Sequence, residues 1–130
     1  MLEVTTRLIR DFDVHVQIRE HSLTVVPVTS ATSAENADPL SLLLASLGSS
    51  TIMALQTYAQ SQGWRLADLS ITLIGRKLLA DSRLEIRRRI YLPKELSAEQ
   101  FAELRAIACN CEIYQLLSGS VTMKDSFGNL

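Results

Sequence analysis

The sequence predicts an α+β domain, with strands and helices segregated into layers. Three observations predict it. Apolar residues alternate with polar ones in the first quarter of the chain and again after residue 69. A long, uninterrupted apolar helical pattern lies between those stretches. A second helical pattern, opened by its own capping signal, follows the later strands. The expected order is β-β-β-α-β-β-α-β. At 130 residues the chain has the length of one domain, spanning 1–130.

The early strands fall within residues 3–28. Val14, Val16 and Ile18 alternate with His15, Gln17 and Arg19. Asp11-Phe12-Asp13 supplies turn chemistry before them. Leu23 to Val28 reads as a third run, rich in β-branched residues. The polar stretch from Thr29 to Ala37 has loop composition, as a lid or a plain connector.

Asp38-Pro39 then opens a helix. The aspartate can cap free N–H groups, and proline loses nothing at the first helical position. Gly63 is placed to end it after Gln62. Leu40, Leu42, Leu43, Leu44 and Leu47 cover almost every side of its first half, which predicts a long, buried, central helix. Ser46, Ser49, Ser50 and Thr57 add a stripe of hydroxyls facing another helix or a pocket. Buried hydroxyls need hydrogen-bond partners.

Leu69 to Leu79 and Leu84 to Leu92 read as two strands joined around Asp81-Ser82. Leu84, Ile86, Ile90 and Leu92 share one face. Arg88 falls on that same face, where an arginine requires a carboxylate partner or an anion. Arg83, Arg87 and Arg89 lie on the opposite face, which reads as a solvated charged surface. Ser97-Ala98-Glu99-Gln100 is a capping box. Phe101, Leu104, Ile107 and Ala108 continue it as an apolar helix face. Cys109-Asn110-Cys111 ends that helix, Ile113 to Leu117 can add a turn, and Val121 to Phe127 reads as a last strand.

Composition excludes several classes. Net charge is −1, which gives no global field for nucleic acid or anionic lipid. The opening residues Met1 to Arg7 lack an apolar stretch behind a basic start, so no secretory signal is expected. No run of about 18 apolar residues exists, so no membrane span is expected. Two cysteines one residue apart, Cys109 and Cys111, are not a disulfide framework, and a reducing, cytoplasmic setting suits them. Cys-x-Cys with His15 and His21 lacks a zinc spacing, so no metal or cofactor is expected. One domain of this size has limited material to cover an all-round apolar helix, which predicts a homodimer.

Two segments resemble the OsmC/Ohr family, osmotically inducible protein C and organic hydroperoxide resistance protein. The first runs from Pro39 through Leu47-Gly48-Ser49-Ser50-Thr51 to Gly63-Trp64. In the family a leucine- and alanine-rich helix leads to a small residue and then a cysteine. The second is Cys111-Glu112-Ile113-Tyr114-Gln115-Leu116-Leu117-Ser118-Gly119, where the family shows Cys-Pro-Val-His before leucine and Ser-Gly. The resemblance implies an OsmC-like fold, an intertwined homodimer with sites at the subunit interface, and thiol-dependent reduction of organic hydroperoxides. In that chemistry a thiolate on the central helix becomes a sulfenic acid, and a second cysteine resolves it as a disulfide.

The sequence departs from that pattern at matched positions. Ser50 stands at the peroxidatic position, and a hydroxyl cannot form a sulfenic acid. Leu40 or Ser41 stands at the position of the family's glutamate. Cys111 matches the resolving cysteine, with Glu112 and Tyr114 replacing its proline and histidine. The family's arginine matches Arg7, Arg10 or Arg19. The expected outcome is a protein without the standard peroxidase cycle that keeps an interface pocket for a small apolar ligand, a hydroperoxide or a partner. The alternative is a redox enzyme that uses Cys111, with Cys109. Ser50 is either a nucleophile or a helix-packing residue, and Cys111 either a redox thiol or a small core residue. Cys109, Ser41, Ser49, Arg88 and Tyr114 are the further pocket candidates.

Overall fold

Alternating apolar residues and two tight turns shape the first part of the chain. The computed structural model describes residues 2–28, 35–78, 80, 83–119 and 121–128. Contacts divide the chain into two units, Met1–Ala45 and Ser46–Leu130. In the first, β1 (Val4–Arg10), β2 (Asp13–Ile18) and β3 (His21–Val25) form an antiparallel sheet in sequence order. Asp11 and Arg19 take φ of 44° and 54° in the two connecting turns, a region that aspartate tolerates well. Arg10 pairs with Asp13 across the first turn and Ile18 with His21 across the second. The third strand therefore starts at His21, earlier than the expected Leu23. It stops at Val25 because the Val26 amide turns to donate to the Ala37 carbonyl at 3.0 Å, and Pro27 has no N–H to give. Val16, Val25 and Val26 are this unit's buried residues.

Helix α1 (Pro39–Gln62) has the bounds that Asp38-Pro39 and Gly63 predict. The Asp38 carboxylate accepts from the Ser41 amide at 3.1 Å and from its hydroxyl at 2.5 Å. Those bonds hold the carboxyl below its ordinary pKa. Gly63 takes φ 73° to end the helix, a conformation that suits glycine.

The expectation of an all-round buried helix is corrected. Within this chain α1 buries one stripe, Leu47, Gly48, Thr51, Leu55 and Ala59, while Leu43 and Met53 stay 37% and 67% exposed. The elements of the second unit cover only one side of it. By length and mean hydropathy alone α1 is long and apolar enough to cross a membrane, although it contains no uninterrupted apolar run of about 18 residues. Its buried stripe, however, belongs to a protein core.

In the second unit, β4 (Ser70–Leu78) and β5 (Arg83–Tyr91) form an antiparallel hairpin. Its expected turn residues Asp81 and Ser82 lie outside the described residues. Gly48 lets β4 come close to α1, since a Cβ there would stand 2.8 Å from Leu73 Cδ1. Helix α2 (Ala98–Ala108) begins with the predicted capping box: Ser97 Oγ accepts from the Gln100 amide, and Gln100 Oε1 from the Ser97 amide. Leu55 of α1 and Leu104 and Ala108 of α2 are buried together. Tyr58, Trp64, Ile90 and Leu92 pack around them, the two rings meeting edge-on at 5.7 Å.

Cys111 starts a third helix, α3 (Glu112–Ser118). The expected last strand is not formed. Residues 121–128 pair with no described strand, and Val121, Met123 and Phe127 are exposed. The order is therefore β-β-β-α-β-β-α-α, still an α+β fold.

Leu55 has no exposed surface and sits where α1 meets α2. Leu55→Ala should lower stability by about 3 kcal/mol through lost burial and the remaining cavity. Urea unfolding would read this as a lower midpoint with an unchanged slope.

Candidate functional site

A threonine on a helix usually returns its hydroxyl proton to the carbonyl four residues back. Thr51 does this: its Oγ1 donates to the Leu47 carbonyl at 2.8 Å. Two further groups converge on the same oxygen inside the second unit. Arg88 Nη1 donates to it at 3.0 Å, and Cys111 Sγ lies 3.3 Å away. Since the hydroxyl has one proton and that proton is on Leu47, the neutral thiol donates to Thr51. When Cys111 ionises, the hydroxyl can rotate and donate to sulfur instead.

Each partner is placed by its own element. Arg88 lies on the apolar face of β5, as the strand period predicts. It is half-buried, and its Nη1 also donates to the Ala108 carbonyl at 2.9 Å, at the end of α2. Its guanidinium lies 4.4 Å from the centre of the Tyr114 ring, a cation–π contact. Among the described residues it forms no ion pair, so the carboxylate expected of an inward arginine is replaced by a carbonyl, a hydroxyl and an aromatic face. Cys111 is 3% exposed in the gap between α2 and α3. Ser50 Oγ accepts from the Ile113 amide at 3.3 Å, tying α1 to the first turn of α3.

The electrostatics of Cys111 overturn one expectation. Burial is the largest influence and pushes the thiol up. The Thr51 hydroxyl, the Tyr114 amide, the Ser50 hydroxyl and the Arg88 charge act against it, and the thiol ends below its ordinary pKa. The apolar neighbours visible in the sequence predict the opposite sign. They omit three hydrogen-bonding groups and a cation brought in from α1, α3 and β5.

The other candidates divide. Tyr114 joins the site through Arg88. Cys109 does not: it is exposed, its amide caps the end of α2 on the Arg105 carbonyl at 3.3 Å, and both cysteines are free thiols. The turn at Asn110 puts the two cysteines at the end of one helix and the start of another. Ser49 is exposed. Ser41 belongs to the first unit, where it is engaged by Asp38. Thr51 is the site residue that sequence reasoning missed. Its signal was its position four residues after Leu47 and four before Leu55, a hydroxyl on the helix's most buried line.

Beside Ser50 opens a groove of about 680 Å³, between α1 and the junction of α2 with α3. Met53, Thr57, Tyr58, Ile107 and Ile113 line it with Ser50. The Thr57 hydroxyl is turned back to the Met53 carbonyl at 2.8 Å, so the wall presents mainly apolar surface. Among the described residues no three His, Cys, Asp or Glu side chains gather as a metal site.

Comparison with known proteins agrees with this architecture. The family model of OsmC-like protein matches residues 32–124. The OsmC-like protein of Mycoplasma pneumoniae superposes with a TM-score of 0.75 at 16% identity, over 92% of this chain and 88% of that one. An OsmC-like protein of unknown function from Vibrio cholerae gives 0.71 at 12% identity, over 88% and 91%. The organic hydroperoxide resistance protein OhrB of Bacillus subtilis gives 0.65 at 19% identity, over 92% and 91%. At such identities the likeness is one of fold. A search of curated proteins finds no sequence match.

Thr51→Val keeps the side-chain shape and removes the hydroxyl that stabilises the thiolate. Alkylation of Cys111 at pH 7 should slow by about tenfold, from the loss of one hydrogen bond to a charged group. The pH profile should move upward, because less thiolate forms at a given pH. An unchanged profile, measured by mass spectrometry of the alkylated peptide, would show that Thr51 does not hold the thiolate.

Proposed function

Given that this chain belongs to the OsmC-like protein family, we propose that it serves a hydroperoxide-related role through a site that keeps one thiol, and that it does not run a two-thiol reductase cycle. The observation that carries this reading is the meeting of Ser50 with the Cys111 segment. Ser50 accepts the Ile113 amide, and its neighbour Thr51 touches Cys111. The two positions that the family resemblance pairs therefore lie together, but only one of them holds sulfur. In this reading the groove beside Ser50 takes a small apolar ligand or hydroperoxide.

A second reading is favoured by the surroundings of Cys111: one-thiol reduction with an external reductant. The Cys111 thiolate attacks the peroxide, the O–O bond breaks, and the alcohol leaves with a proton. Sulfur is oxidised to sulfenic acid. An external thiol then displaces water to form a mixed disulfide, and a second external thiol releases Cys111. Arg88 and Thr51 supply the thiolate stabilisation this step requires.

Exposed apolar residues support a homodimer. Leu8 and Phe12 in the first unit, and Met53, Leu116 and Leu117 in the second, are all solvent-facing. Burying them against a second copy gains about 25 cal/mol per Å² of apolar surface. Free, unpaired cysteines suit a reducing cytoplasm, and a net charge of −1 gives no reason to expect nucleic acid.

Turnover of cumene hydroperoxide with a dithiol reductant should stay near the uncatalysed background in the natural protein, and Ser50→Cys should add only slight activity. Robust turnover that vanishes in Cys111→Ser would replace the first reading with the second. Sedimentation at micromolar concentration should show a species of twice 14.4 kDa. A single 14.4 kDa species would defeat the dimer.

A further inference from the structure

Arg88 has a second side. Its Nη1 hydrogens are both used, one on Thr51 and one on Ala108. Among the described residues its Nε and Nη2 make no hydrogen bond. This Nε–Nη2 edge has the geometry that grips a carboxylate with two parallel bonds. Arg88 also lines a cavity of about 320 Å³ between β5 and α2, apart from the groove beside Ser50. Ile90, Leu92 and Phe101 supply apolar wall above the fully buried Leu55 and Leu104. Arg105 adds a second guanidinium, 6.0 Å from the centre of the Phe101 ring. Among the described residues no carboxylate lines the cavity and neither arginine has an ion-pair partner. Two guanidiniums without a carboxylate partner beside an apolar cavity of ligand size favour an anion with an apolar body.

We infer that this cavity binds a small monocarboxylate with an apolar body, its carboxylate held by Arg88 and Arg105 and its body against Ile90, Leu92 and Phe101. Arg88 then serves two sites at once. A bound carboxylate draws on the same charge that faces Cys111, so ligand and thiolate weaken each other by reciprocal linkage.

The test uses the full chain and three probes: octanoate has both charge and apolar body, acetate only the charge, and octanol mainly the body. Octanoate at roughly ten times its Kd should raise Tm by about 4 °C, and the other two far less. It should also slow alkylation of Cys111 at pH 7 by about fivefold. Arg88→Met should abolish the Tm response. Should that variant fold poorly, Arg105→Gln, on the exposed side of α2, should weaken octanoate by about tenfold. No Tm shift with octanoate, an equal shift with octanol, or natural affinity in Arg105→Gln would each overturn the inference. The melting readout does not involve peroxide, so its failure would leave the hydroperoxide reading standing.

Discussion

The hydroxyl oxygen of Thr51 is the point on which the site depends. One atom meets the backbone of its own helix, the guanidinium of Arg88 and the sulfur of Cys111. Arg88 carries the connection on to the last carbonyl of α2 and to the Tyr114 ring in α3. Four elements of the second unit thus share a small polar network inside an apolar setting. Such a network is costly to leave half-satisfied and is correspondingly fixed in geometry. Here every member has a partner: among the described residues no buried side-chain nitrogen or oxygen lacks one.

That network gives Cys111 its character. Burial alone would make it an inert core thiol, yet the groups around it reverse the sign. A thiol held this way is suited to ionise and react. Ser50, next to Thr51 on α1, is a hydroxyl that accepts an amide hydrogen bond from Ile113 and offers no sulfur. The site holds one thiol in surroundings that favour its ionisation, and among the described residues no second thiol lies beside it to close an internal disulfide. Cys109, the other sulfur in the chain, is exposed at the end of α2.

Much of this fold was legible in the sequence because the signals were local. Asp38-Pro39 and Gly63 bounded α1, the capping box opened α2, and period two placed Arg88 on the apolar face of β5. Where the sequence misled, the deciding partner was remote. A run such as Val121 to Phe127 has strand chemistry but finds no edge to join among the described residues. The leucines of α1 suggested burial on all sides, while this chain covers one stripe. The ionisation of Cys111 depended on residues 60, 61 and 23 positions away, which spacing could not bring together.

The central claim is that one sulfur, Cys111, carries whatever oxidation the site supports. It is tested most directly by treating the reduced protein with one equivalent of cumene hydroperoxide in the presence of dimedone and mapping the products by mass spectrometry. The account predicts a dimedone adduct that forms slowly, consistent with background turnover, and on Cys111 alone, the mark of a sulfenic acid that no internal thiol resolves. A disulfide between Cys109 and Cys111, or oxidation confined to Cys109, would contradict it.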